Sequence, residues 1–168
     1  INGVLGTYMD ITERKQAEEA LRESEARYRT LVESSSEHIF MLNPEGVYTA
    51  SNGKVGHFGL KDAEQLVGQC LEDVYEPEVA ALYRRKLNEV IASDQSVEFE
   101  HGMTEVGEMH SHLDTLFPVR NEGGIVAVGG ICRDITERKQ AEREKDKFLE
   151  AIETCAEAIH IISLDGTI

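Results

Sequence analysis

Nine consecutive residues of this chain occur twice, and their spacing is the strongest constraint on its fold. Residues 10–18 read Asp-Ile-Thr-Glu-Arg-Lys-Gln-Ala-Glu, and residues 134–142 repeat them letter for letter. The second copy begins 124 residues after the first, which is the size of one small domain. A repeat at such an interval predicts an array of similar units. We therefore expect one complete domain between the copies and a piece of a neighbouring unit on either side.

Each copy of the motif predicts the start of a helix. Asp10 and Asp134 can cap a helix N-terminus, and a glutamate three places later can return the hydrogen bond. Thr12 and Thr136 are alternative caps. Helix-favouring residues then continue without Gly or Pro after both copies. The sequence therefore predicts these flanking elements: a strand at 1–9, a linker helix at 10–35, a second linker helix at 136–158 and a strand at 159–168.

Both predicted linker helices carry a thin apolar stripe at heptad spacing. A long polar helix with such a stripe usually packs against a partner, and heptad spacing favours a coiled coil. We therefore expect a homodimer through the linker helices, with the alternative that each stripe packs on the sheet of its own domain. The residues of the stripe are Ala17, Leu21, Tyr28, Leu31, Phe148, Ile152 and Cys155.

The residues between the two copies alternate between strand and helix patterns. Apolar residues recur at helical spacing from Pro77 to about Ser93, which predicts a long helix. The first and last of the five predicted strands are apolar on both faces, so we expect them in the interior of the sheet. The predicted strands are His38–Asn43, Val47–Ser51, Ser96–His101, Glu108–Val119 and Gly124–Asp134.

Charge and cysteine content exclude several classes of partner. The 168 residues carry a formal charge of −15, which disfavours binding to nucleic acid or to an anionic membrane surface. No apolar run reaches the ~20 residues that cross a bilayer. The cysteines at 70, 132 and 155 form neither a metal-spaced pair nor an obvious disulfide framework. These features predict a cytoplasmic domain that makes no membrane contact through this segment.

The order of the predicted elements and the motif that closes it resemble a PAS domain. The residues that carry the resemblance are 130–142, Gly-Ile-Cys-Arg-Asp-Ile-Thr-Glu-Arg-Lys-Gln-Ala-Glu, supported by Asn43-Pro44-Glu45-Gly46, Asn52 and Leu66-Val67-Gly68. The resemblance implies an α+β fold in which a five-stranded antiparallel sheet with helices on one face forms a complete domain over residues 36–135. The strands at 1–9 and 159–168 would then belong to a preceding and a following PAS unit.

The resemblance also implies a sensory role. A ligand- or state-dependent change would pass through the outgoing helix to an output domain in cis, such as a histidine kinase. The alternative is a ligand-free dimerisation or spacer module that acts only through protein–protein contacts. No catalytic constellation stands out in this sequence, so enzymatic activity is expected only elsewhere in a longer sensor kinase. The residues expected to relay the change are Asp134, Ile135, Thr136, Glu137 and Arg138.

A pocket for a small molecule is expected between the inner face of the sheet and the long helix. The resemblance implies that a haem sensor would carry its axial histidine on the long helix, and Pro77–Ser93 contains none. It also implies that a covalent flavin sensor would carry a reactive cysteine, and Cys70 is one position away from that place. Both groups are therefore disfavoured. The identity of any ligand stays open, and the same residues fit an ordinary core. The candidate pocket residues are His57, Tyr83, Leu87, Phe99, His101, Leu113 and Phe117.

Three histidines near the sheet raise the question of a metal site. His101 is expected on the inner face of its strand. The apolar face of the next strand is expected to be that of Leu113 and Phe117, which would turn His110 and His112 to the other side. The sequence therefore predicts no metal site, because its histidines would not converge.

Overall fold

The structure, a computed structural model, describes residues 12–53, 65–105 and 107–164 of the chain. The chain divides into two compact units, Ile1–Ser36 and Glu37–Ile168. In the first unit the described element is helix α1, Thr12–Ser34. The elements of the second unit are β1 His38–Leu42, β2 Tyr48–Ser51, α2 Leu71–Val74, α3 Pro77–Ser93, β3 Val97–Glu105, β4 Glu108–Asn121, β5 Gly124–Asp134 and α4 Thr136–Leu164.

The five strands form one antiparallel sheet in the order β2-β1-β5-β4-β3. Strands β1 and β5 lie in its interior, as their apolar pattern on both faces predicted. Helix α3 begins at Pro77, a residue suited to the first helical turn because it needs no backbone partner there. The predicted α+β fold with a five-stranded antiparallel sheet is confirmed.

Strand register determines which side chains share a face of the sheet. Neighbouring strands pair Phe40 with Gly130, Gly130 with Leu116, and Leu116 with Val97. Side chains of this row pack with residues of α3 in one hydrophobic core. We call this side of the sheet the inner face. Side chains two residues away along each strand share it, because strand side chains alternate.

Gly130 gives the inner face room for an aromatic ring. A Cβ atom at this position would overlap the ring of Phe40, which is 3% exposed. Gly129 has the same relation to Phe117 on the opposite face. Two consecutive glycines in β5 therefore allow large rings from neighbouring strands to cover it on both sides.

The predicted inner face of β4 is wrong. His112, Asp114 and Leu116 are buried on the inner face, whereas Leu113 and Phe117 lie on the other side and are half-buried. Hydrophobic alternation chose the wrong set because both sets contain large apolar residues. The polar side chains of the true inner set find partners on other elements of the core: Asp114 bonds Tyr83 and His101, and His112 contacts Cys132. A hydropathy pattern does not reveal such partners.

Helix α4 is longer than predicted. It continues through residues 159–164, where the sequence predicted a strand of a following unit. A helix satisfies its backbone groups within one segment, whereas a strand needs a partner strand. The predicted strand at 1–9 and residues 165–168 lie outside the described residues. Within the described residues, none of the helices could span a lipid bilayer.

The predicted dimer stripes lie at the surface. The exposed fractions are 60% for Leu21 and 66% for Tyr28 in α1, and 65% for Phe148 in α4. Ala17, Leu31 and Ile152 are exposed as well, and the side chain of Cys155 lies outside the described part. Packing on the domain's own sheet therefore does not hold for Phe148 and Ile152, and the homodimer stays a prediction.

Candidate functional site

Seven side chains with polar atoms meet on the inner face, and we call them the buried polar cluster. Six of them are buried residues, and the seventh, His101, has a side chain that is only 3% exposed. They come from both sides of the core: from the sheet, from α3 and from the segment that follows α2. The members are Tyr48, Tyr75, Tyr83, His101, His112, Asp114 and Cys132.

Asp114 is the acceptor at the centre of this cluster. The hydroxyl of Tyr83 donates to its Oδ1 at 2.6 Å, and Nε2 of His101 lies 2.8 Å from its Oδ2. The carboxyl group is 0% exposed. A buried carboxylate without partners would be very unfavourable, so these two contacts are what allows Asp114 to lie in the core.

The tyrosines of the cluster are neutral hydrogen-bonding groups. Burial raises the pKa of Tyr83, and the negative charge of Asp114 raises it further. Burial likewise raises the pKa of Tyr75, whose ring stacks on that of Tyr83 with 4.5 Å between centroids. The hydroxyls of Tyr48 and Tyr75 lie 3.0 Å apart. The three phenols thus come from β2, from the segment after α2 and from α3, and they add no charge to the cluster.

The histidines connect the cluster to the end of the sheet. The rings of His101 and His112 stack with 5.3 Å between centroids, and those of His112 and His110 with 6.4 Å. His110 Nδ1 lies 3.1 Å from Oδ2 of Asp134, the last residue of β5. Ring contacts and hydrogen bonds therefore run without a break from Asp114 to Asp134.

The junction between β5 and α4, residues Asp134 to Thr136, is held by strand β4. The backbone N–H of Thr136 donates to Asp134 Oδ1 at 2.7 Å. The Thr136 hydroxyl accepts the N–H of Ser111 at 2.9 Å, and the N–H of Ile135 donates to the Ser111 carbonyl at 2.8 Å. Asp134 therefore accepts a hydrogen bond from the first N–H of the helix, whereas the Thr136 hydroxyl fastens the helix start to the sheet.

Asp134 is a charged group at this junction. Partial burial raises its pKa, but hydrogen bonds from Thr136 and His110 outweigh that effect and lower the pKa of Asp134 to about 2. Its carboxylate also lies close to the N-terminus of α4, where a negative charge is favourable.

A second contact joins the first turns of α4 to strand β3. Lys139 pairs with Glu100, and Arg138 Nη2 lies 3.7 Å from the same carboxylate. The Lys139 contact lowers the pKa of Glu100. Solvent screens an exposed pair of this kind, so it contributes little to stability, and this one positions the helix more than it stabilises the fold. The adjacent basic residues Arg138 and Lys139 are the sequence feature that could have predicted an acidic partner for the start of this helix.

The structure brings together four of the seven predicted pocket residues. Tyr83, Leu87 and Phe99 are buried in the core with the His101 side chain. Leu113 and Phe117 lie on the opposite face of the sheet, and His57 lies outside the described residues. Sequence reasoning missed Asp114, His112 and Cys132, because a polar residue inside an apolar strand pattern is usually a solvent-facing one.

Two surface grooves lie beside α3. One, of about 640 Å³, is lined by Glu72, Arg84 and neighbouring residues of α3, and in it Arg84 makes a bidentate pair with Glu72 at 2.7 and 2.8 Å. The other, of about 530 Å³, lies between the start of α3 and residues such as Met103 and Met109. Among the described lining residues of both grooves there is no member of the buried polar cluster.

Comparisons with known proteins agree with this architecture. The family model described as PAS fold matches residues 32–140. The methanogenesis regulatory histidine kinase FilI of Methanothrix harundinacea is 29% identical over 132 residues, which are 76% of this chain and 15% of that protein. The chain spans 13–17% of the length of the curated relatives it matches.

Solved structures show the same fold at low sequence identity. The PAS domain of an HTR-like protein from Haloarcula marismortui has a TM-score of 0.58 and 23% identity, covering 72% of this chain and 99% of that chain. The structure of VqmA bound to DPO has a TM-score of 0.59 and 22% identity, covering 65% of this chain and 57% of that chain.

Proposed function

This chain belongs to the PAS fold family, and we propose that it relays a ligand- or state-dependent change from its inner face through α4 to an output domain of the same polypeptide. Its curated relatives include sensor proteins and a regulatory histidine kinase, so it is a PAS domain of the sensory type. A histidine kinase is the output that these relatives favour. Adjacent PAS units in cis and a cytoplasmic setting stay predictions from the sequence.

The observation that carries this proposal is the unbroken line of contacts between the buried polar cluster and the helix junction. Asp114 and Ser111 lie on the same strand, three residues apart. Asp114 holds Tyr83 and, through its contact with His101, orients the stacked histidines, whereas Ser111 holds Thr136. A shift of β4 at the cluster therefore reaches the first turn of α4 over a short and densely bonded path.

A ligand would drive such a shift only if it bound one arrangement of the cluster better than another. The cluster offers phenol, imidazole and carboxylate groups, each of which could bond a ligand in place of a partner within the cluster. The likeness in fold to VqmA, whose structure holds DPO, supports a small-molecule ligand for this chain too. The Arg138 and Lys139 contacts with Glu100 would then transmit movement of β3 to the same helix.

The proposal is tested by an artificial input on the inner face. Tyr83→Phe removes the hydroxyl that donates to Asp114, and hydrogen–deuterium exchange then reports the stability of each segment. We expect faster exchange in the first turns of α4, near residues 135–142, as well as around Asp114. Tyr28→Phe removes an equivalent hydroxyl from an exposed tyrosine of α1 and should leave α4 unchanged. Altered exchange at Asp114 with an unaltered α4 would refute the relay.

A second candidate function is a ligand-free dimerisation or spacer module. The exposed apolar side chains of α1 and α4 favour it, because Leu21, Leu31 and Phe148 are each at least 60% exposed and the stripe within each helix has heptad spacing. Phe148→Glu should turn a dimer into a monomer in analytical ultracentrifugation. A dimer broken by this change, together with no response of α4 to Tyr83→Phe, would favour the spacer function over the relay.

A further inference from the structure

Three different metal-ligating side chains converge inside the buried polar cluster. His101, Asp114 and Cys132 each come from a different strand, and their ligating atoms lie within 4.8 Å of one another. All three side chains are buried. The sequence predicted no such convergence because it placed the polar residues of β4 on the wrong face.

One atom of this group has no hydrogen-bond partner. His101 Nδ1 is buried and unpaired, while Nε2 of the same ring contacts Asp114. A buried ring nitrogen without a partner is uncommon and calls for an explanation. When Nδ1 carries the ring proton, the Nε2 lone pair faces the Asp114 carboxylate at 2.8 Å, and a cation between the two atoms would turn this repulsion into attraction.

We propose that His101, Asp114 and Cys132 bind a zinc-class divalent metal ion. Zinc takes imidazole nitrogen, carboxylate oxygen and thiolate sulfur in one tetrahedral shell. Calcium and magnesium take oxygen ligands instead, so a site with a thiol and an imidazole selects against them. Three protein ligands leave one position of a tetrahedral shell to a fourth donor.

His112 is placed to be that fourth donor. Its Nδ1 lies 3.5 Å from Cys132 Sγ, and ligands on a tetrahedral ion with bonds of about 2.3 and 2.0 Å are roughly 3.5 Å apart. The His101–Asp114 separation of 2.8 Å is shorter than the roughly 3.3 Å expected of a nitrogen and an oxygen ligand. Binding would therefore move His101 Nε2 and Asp114 Oδ2 apart by about half an ångström. Asp114 lies on β4, the strand that also contacts the helix junction through Ser111.

Charge balance favours a divalent ion in this site. Two positive charges meet the Asp114 carboxylate and the Cys132 thiolate, so the filled site is neutral, and a neutral buried group avoids most of the desolvation penalty. Binding breaks the Sγ–H bond, forms an Sγ–metal bond and releases that proton to solvent. No oxidation state changes. Binding of the metal does not depend on the proposed relay. Only the further step, in which metal binding changes α4, rests on it.

Cobalt(II) is the probe that tests this site, because tetrahedral cobalt–thiolate complexes are coloured. The purified full chain is titrated with Co²⁺ and then with Zn²⁺ under reducing conditions. We expect one equivalent of Co²⁺ with a thiolate charge-transfer band, displaced by Zn²⁺. Cys132→Ala should abolish the band, and Cys70→Ala, which changes a half-buried thiol bonded to Asp73, should keep it. Wild-type protein without the band, or an undiminished band in Cys132→Ala, would overturn the proposal.

Two further measurements separate this site from the relay and from misfolding. His101→Gln, which keeps a polar side chain, should weaken Zn²⁺ affinity by at least the roughly 10-fold that loss of a mere supporting contact causes. An undiminished affinity would again overturn the site. Hydrogen exchange of α4 with and without Zn²⁺ then reports signalling. If Zn²⁺ binds but the exchange of α4 does not change, the metal site stands and metal sensing is refuted. If Zn²⁺ does not bind but Tyr83→Phe changes the exchange of α4, only the relay stands.

Discussion

The Thr136→Val substitution tests whether the Thr136 hydroxyl fastens α4 to the sheet. Valine keeps the shape of threonine and has a similar helix propensity, so the change removes little besides the hydroxyl. The hydroxyl accepts the part-buried N–H of Ser111 at 2.9 Å. Its loss removes one hydrogen bond, worth about 0.5–1.5 kcal/mol, and leaves a part-buried donor unpaired, which costs about 1–3 kcal/mol when burial is complete. Because water reaches part of this site, we expect a net destabilisation of about 1–2 kcal/mol.

Urea unfolding followed by circular dichroism measures this loss, and amide exchange at Ser111 locates it. A change of about 1.4 kcal/mol corresponds to roughly 10-fold faster exchange by local opening. Thr136→Ser keeps the hydroxyl and should lie within about 0.8 kcal/mol of wild type, the value of one buried methylene. Thr154→Val removes a hydroxyl that bonds only an exposed carbonyl of its own helix and should change stability by at most about 0.5 kcal/mol. Equal losses in Thr136→Val and Thr136→Ser would refute the role of the hydroxyl.

Three other predictions concern the core, the junction and the cluster. Gly130→Ala should destabilise the domain by about 1–3 kcal/mol, because the new methyl group overlaps the buried ring of Phe40, and urea unfolding should show Phe40→Leu recovering part of that loss. The pKa of Asp134 is lowered to about 2, below the value near 3.9 of an unfolded aspartate, so its contribution to stability is present above that value and lost as pH falls towards 2. Urea midpoints should therefore fall less between pH 6 and pH 2 in Asp134→Asn than in wild type. A chelator in the buffer removes any contribution of bound metal to these midpoints. Tyr83→Phe should cost about 1.5–3 kcal/mol of unfolding free energy, as for a hydrogen bond to a charged group, against almost none for Tyr28→Phe, and equal effects would contradict the role of Asp114.

The sequence was sufficient for the architecture because several local features agreed. The repeated motif located the junction, Pro77 located the start of α3, and apolar residues on both faces placed β1 and β5 in the interior. The motif and Pro77 act through the backbone at their own positions, and the burial of a strand shows in its own apolar residues. A single sequence is enough to recognise such local features. The end of α4 was not recorded in this way, because residues 159–164 suit a strand by composition but form a helix in this structure.

The site was less predictable because its polar residues stabilise one another. His101 was a candidate, but Asp114 and Cys132 lie 13 and 31 residues further along the chain, and only the register of three strands brings them together. A one-residue error in the face of β4 reverses which of its side chains meet. The hydropathy pattern predicted that Leu113 and Phe117 face the core. In the structure Asp114 faces it instead, because its hydrogen bonds stabilise the carboxylate there.

A stability argument separates a cluster that is retained for function from one that holds the fold together. Asp114→Leu alone leaves the Tyr83 hydroxyl and the His101 ring without their acceptor, and we expect a loss of about 2–6 kcal/mol, because each buried group left unpaired costs about 1–3 kcal/mol. The triple variant Tyr83→Phe, His101→Leu, Asp114→Leu removes all three groups at once. Replacing a buried polar set by apolar residues of similar volume is often neutral or stabilising by about 1–4 kcal/mol. We therefore expect the triple variant to unfold at or above the wild-type urea concentration, while binding no Co²⁺ at the thiolate site. A triple variant as unstable as Asp114→Leu would show instead that the cluster is needed for folding, and the case for a sensory role of the inner face would lose its energetic support.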